Sequence, residues 1–130
     1  MITKSNLKNM LISIGFSDTS NDKYEKYYPF SDCFITVDFR NEKIIYPEDN
    51  GFTVNIITTC NFSEPENFVV LECVNRLLDK GYRPKNIELE RTWTLGHEQK
   101  SGRADISVSD QNEKMLFIIE CKTFGSEYSK

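Results

Sequence analysis

A chain of 130 residues, 38% hydrophobic and 28% charged, is long enough for one ordinary soluble domain with its own core. Its net charge of -4 excludes a module that grips nucleic acid by bulk positive charge; the acidic excess lies in residues 1–78, with 7 basic and 11 acidic side chains, whereas 79–130 hold 9 of each. Cys33, Cys60, Cys73 and Cys121 form no CxxC pair and no signal peptide is visible, so neither a disulfide framework nor a zinc site is expected, and with no apolar run near the roughly 20 residues of a membrane span the expectation is a cytoplasmic protein with reduced thiols.

Leu7, Met10, Leu11 and Ile14 recur at spacings of three and four, which predicts a short amphipathic helix over 6–14 that ends at Gly15. The polar stretch 17–26 reads as a loop. From Cys33 the period changes to two, with Ile35, Val37 and Phe39 alternating against Thr36 and Asp38, as in a half-buried strand. Residues 44–46 and 52–57 are further strand candidates. Between them Pro47, Glu48, Asp49, Asn50 and Gly51 have turn chemistry, so a small antiparallel meander is expected. Ser63 and Glu66 stand in capping-box spacing with Pro65 in the first turn, and Val70, Leu71, Val74, Leu77 and Leu78 form one stripe. That predicts a helix running to about Lys80, closed by Gly81 and packed on a sheet. Strands are then predicted over 87–93, 103–109 and 115–123, the last being the most apolar of the chain. The fold class expected is α/β (α+β): an N-terminal helix and β-meander over 1–60, then a core over 61–130 with a helix followed by an antiparallel or mixed sheet.

The last of these strands carries the chemistry. Glu120 and Lys122 stand two apart at the end of an apolar run, so both side chains share a face, about 7 Å apart at a rise of roughly 3.4 Å per residue. If the preceding loop is a four-residue hairpin with Asp110 opposite Met115, counting back sets Asp105 directly across from Glu120. Like charges facing each other in a sheet are destabilising and call for a cation. Hard oxygen donors without a histidine cluster suit Mg2+ or Mn2+, with the Cys121 carbonyl as an added ligand. Such an ion neutralises charge developing on a phosphodiester, while the Lys122 ammonium positions or deprotonates the nucleophile. The bland alternative is a cross-strand ion-pair network in which Lys122 pairs Asp105 and Glu120.

The run Gly102, Arg103, Ala104, Asp105, Ile106, followed after a short hairpin by Phe117, Ile118, Ile119, Glu120, Cys121, Lys122, Thr123, resembles the signature of the PD-(D/E)xK nuclease superfamily. It is similar in particular to the N-terminal nuclease domain of type I restriction enzyme subunits and related restriction–methyltransferase fusions. The stretches from Pro65 to Val74 and from Gly81 to Pro84 match the start and end of that family's first core helix, so the resemblance covers about residues 62–125. It implies a restriction-endonuclease-like core, magnesium-dependent cleavage of DNA, Asp105 and Glu120 as metal ligands, Lys122 as the catalytic lysine and Glu66 as the helix-borne glutamate, with Glu72 on the same helix as the competing assignment. It also implies DNA as substrate and further domains or subunits of a restriction-modification complex as partners. That fold continues with a helix and a strand beyond the Glu-x-Lys strand, which implies that 61–130 is truncated.

Other residues carry less. His97 in the 96–102 loop reads as a solvated turn residue, Trp93 as packing or a stacking surface, and Lys100 and Arg103 as loop cations near the site. Tyr24, Tyr27 and Tyr28 are assigned to packing. Two rival functions stand beside the nuclease: a catalytically inactive DNA-binding or assembly domain of the same fold, and an interaction domain held by ordinary salt bridges.

Overall fold

A computed structural model describes residues 4–95, 100–112 and 114–121. Helix α1 (Lys4–Ser13) leads into a four-stranded sheet in the order β1-β2-β3-β4, made of Ser17–Asp18, Lys23–Tyr28, Cys33–Asp38 and Lys43–Ile45. All its pairings are antiparallel. A second four-stranded sheet has the order β5-β6-β7-β8: Thr53–Val54, Ile87–Leu95, Lys100–Ser109 and Met115–Ile119. There β5 runs parallel to β6, and the other two pairings are antiparallel. Helix α2 (Glu66–Asp79) bridges the sheets. The mixed α+β class is the one expected from the sequence.

Period-two patterning holds in β3, where Cys33, Ile35 and Val37 are buried. The predicted loop over 17–26 is instead β1 and the start of β2, because Tyr24 and Tyr28 alternate inward from a polar strand. Polar residues at 23, 25 and 26 hide that period from a hydrophobicity reading. The turn at 47–51 does not close a hairpin. Residues Glu48–Asn50 form a 3-10 turn ending at Gly51, whose φ of 99° suits glycine. It passes the chain from one sheet to the other, so β4 and β5 never pair.

Helix α2 begins without a side-chain cap; Ser63 Oγ donates to Asn61 Oδ1 at 2.5 Å, and the expected capping box is absent. The predicted stripe is correct: Val70, Leu71, Val74, Leu77 and Leu78 are all buried. Each such side chain contributes about 1.5–3 kcal/mol on burial. Gly81 follows at φ 99°, as the expected stop signal. On one side Asn75 of α2 accepts hydrogen bonds from Tyr28 Oη and Lys26 Nζ of β2. On the other, Cys73 faces Cys121 just beyond β8. A single cluster of buried apolar residues therefore runs from Leu7 to Cys121.

Candidate functional site

The β7–β8 hairpin sets the site. Ser109 pairs with Met115, one residue off the predicted partner Asp110, but a bulge follows and Val108 pairs with Phe117, Ser107 with Ile118 and Ile106 with Ile119. The register approaching the site is thus the predicted one. Continued by one residue, it puts Asp105 against Glu120. Asp105 reaches the end of β8 directly, accepting the backbone N–H of Cys121 at 2.7 Å through Oδ2. Glu120 is exposed. Lys122 lies outside the described residues, as does His97, and the side chains of Trp93, Lys100 and Arg103 are likewise outside them.

Asp105 also lines a cavity of about 150 Å3 together with Glu64, Glu66, Asn67, Thr59 and Glu90. The start of α2 supplies Glu66 to this cavity because Pro65 occupies the N-cap position immediately before it. Glu72, six residues on, instead takes an ion pair from Arg76 at 3.3 Å on the outer surface of α2. Of the two helix glutamates weighed from sequence, Glu66 is the one beside Asp105.

Glu90 was not anticipated. It is 7% exposed and adopts φ 56°, a left-handed conformation uncommon for a residue with a side chain. On either side of it Leu89 pairs with Ile106 and Arg91 with Ala104, so by count Asp105 stands against Glu90 on one flank and Glu120 on the other. By count alone Glu90, Asp105 and Glu120 thus fall in a row across β6, β7 and the end of β8, with Glu90 and Asp105 lining one cavity and Glu120 exposed. Glu88 and Glu90 alternate with Ile87 and Leu89 in the sequence, a pattern that reads as a solvated face and conceals the burial of Glu90.

The thiol behind this row is also perturbed. Cys121 Sγ donates to Cys73 Sγ at 3.9 Å. That hydrogen bond brings Cys73 down to about 7 and, with burial, pushes Cys121 up.

The donor chemistry fits a hard divalent cation, since the cavity offers carboxylate oxygens. Among the described residues, no three His, Cys, Asp or Glu side chains converge closely enough to hold an ion. Also among the described residues, no helix is long and apolar enough to cross a membrane.

Residues 65–130 match the family described as Type I restriction enzyme R protein N terminus (HSDR_N). Neither the curated proteins nor the solved structures give a significant match.

Proposed function

We propose, for a chain that belongs to the family of type I restriction enzyme R protein N termini, that the Asp105 row is the metal site of a PD-(D/E)xK endonuclease that hydrolyses DNA phosphodiesters. The observation that carries this reading is Asp105 itself, bonded to the Cys121 amide and facing the cavity that Glu66 also lines. Asp105 and Glu120 would hold Mg2+ or Mn2+ with the Cys121 carbonyl, and Glu66 would hold its water shell. When bound, the ion supplies charge neutralisation at the phosphodiester and acidifies a water.

The chain's own residues do the rest. The Cys121 N–H fixes the Asp105 carboxylate, so its second oxygen is oriented without a conformational search. Lys122 would position the attacking water or take its proton. On this reading like charges would face each other across the sheet, and removing one carboxylate would relieve repulsion when no ion is present. DNA affinity and target choice would come from other domains or subunits, consistent with the net charge of -4.

The alternative reading is the catalytically inactive DNA-binding or assembly version of this fold. Manganese titration followed by calorimetry, with plasmid cleavage on the same samples, separates the two. The nuclease reading expects binding to wild type, at least about tenfold weaker binding to Asp105→Asn, and cleavage lost in the variant. In metal-free buffer Asp105→Asn should unfold at the same or higher urea concentration than wild type. No binding in either protein would sink the metal site and leave the inactive version ahead, and a large metal-free destabilisation would point to a salt-bridge scaffold.

A further inference from the structure

We propose that Cys73 and Cys121 form an oxidisable pair whose disulfide shifts the Cys121 amide against Asp105. The two sulfurs are 3.9 Å apart and come from different elements, the middle of α2 and the residue two beyond β8. Bond formation requires them to approach to about 2.05 Å. Cys121 is buried, and Cys73 is half-buried. Cys73 opens onto a groove of about 280 Å3 lined by Arg76, Leu77, Lys80, Tyr82 and Phe117. Small oxidants therefore meet Cys73 first.

With a peroxide as oxidant, the Cys73 sulfur attacks one peroxide oxygen and the O–O bond breaks. Cys73 becomes a sulfenic acid, and the departing hydroxide takes the thiol proton to leave as water. The Cys121 sulfur then attacks the Cys73 sulfur and expels hydroxide, which leaves as a second water with the Cys121 proton. Two electrons pass from the two thiols to the peroxide, and a small-molecule dithiol reverses the step by exchange.

What makes the pair consequential is its neighbour in the backbone. The Cys121 N–H is the donor that holds Asp105 Oδ2 at 2.7 Å. Drawing Cys121 toward α2 must displace or reorient that donor. The covalent inference stands without the proposed nuclease activity; any effect on metal binding rests on that reading.

The experiment treats the folded full chain with hydrogen peroxide, then alkylates in denaturant and maps peptides without reduction. Expected are a mass lower by two hydrogens, one linked peptide pair containing Cys73 and Cys121, alkylated Cys33 and Cys60, and reversal by dithiothreitol. Cys73→Ser should abolish the link, and because mapping of wild type is decisive by itself, poor folding of the variant would not matter. In parallel, the Cys121 amide resonance should shift on oxidation in metal-free buffer. Absence of the link, a link scrambled among all four cysteines, or an unmoved Cys121 amide would each overturn the proposal. Failure of manganese to bind the reduced protein would count against the nuclease reading alone.

Discussion

Asp38 closes the end of β3 with its carboxylate, which accepts the Asn41 side-chain amide at 2.8 Å and the backbone N–H groups of Arg40 and Asn41 at 3.0 and 3.1 Å. The Asn41 side chain is the foremost cause that holds its pKa below the ordinary carboxylate range, with the two backbone bonds adding to it. Because the folded pKa is depressed, the stability Asp38 contributes is present above the unfolded value near 4 and is lost as pH falls through the lower folded value. Asp38→Asn keeps an acceptor oxygen but removes the charge. We expect the variant to have a lower urea midpoint than wild type at pH 7, with the gap closing as both are acidified below about pH 4; a gap independent of pH would assign the cost to packing instead. Residues of this kind were partly legible. Asp105 and Glu66 stand out in the sequence because motif and spacing mark them, and the structure sets them on one cavity. Glu90 did not, because its burial follows from the left-handed backbone at φ 56° and from α2 lying over it, and neither has a signature in an Ile-Glu-Leu-Glu alternation.

At the scale of the element, β8 departs most from what its composition suggests. Five consecutive apolar residues read as a strand buried on both faces, yet Leu116 is 53% exposed and Met115, Phe117 and Ile118 are also exposed. The reason is position: β8 lies last in its sheet, with β7 as its one strand partner among the described residues, while Phe117 and Ile119 line a groove with Cys73 of α2 and with Tyr82. Apolar patterning reports what a strand can bury, whereas what covers it depends on the rest of the fold. The register was legible for the opposite reason, since loop length and alternation constrain it locally, and the bulge at the turn restored it before Asp105. An exposed apolar edge is prone to pair with another chain. The double change Leu116→Lys and Ile118→Lys is therefore expected to leave the thermal midpoint nearly unchanged while lowering concentration-dependent association in light scattering. If the pair instead unfolds the protein, these side chains are buried in solution.

Across the whole molecule, the change of sheet falls at the Glu48–Asn50 turn, ahead of the boundary near residue 60 that the sequence suggests, and α2 ties the two sheets together. Asn75, 3% exposed, accepts Tyr28 Oη at 2.7 Å and Lys26 Nζ at 2.8 Å, while Lys26 also donates to the Ile14 carbonyl at 2.6 Å and pairs with Asp79 at 2.8 Å. Burial pushes the Tyr28 hydroxyl well above the usual tyrosine range, so it remains a donor that must find an acceptor. In Asn75→Ala that hydroxyl loses its acceptor inside the core, whereas Lys26 keeps two others. The expected cost is therefore about 1–3 kcal/mol, mainly the unpaired Tyr28 group. Pairing the change with Tyr28→Phe should recover part of the loss, since both partners are then removed together. Because α2 also carries Cys73 toward Cys121 and Glu66 toward Asp105, weakening its hold on the first sheet should be felt at the site. Urea unfolding followed by far-ultraviolet circular dichroism and by hydrogen exchange at the Cys121 amide should give coincident midpoints in wild type and in Asn75→Ala, both shifted together in the variant. Separate midpoints would mean that the first sheet unfolds independently of the sheet that carries Asp105.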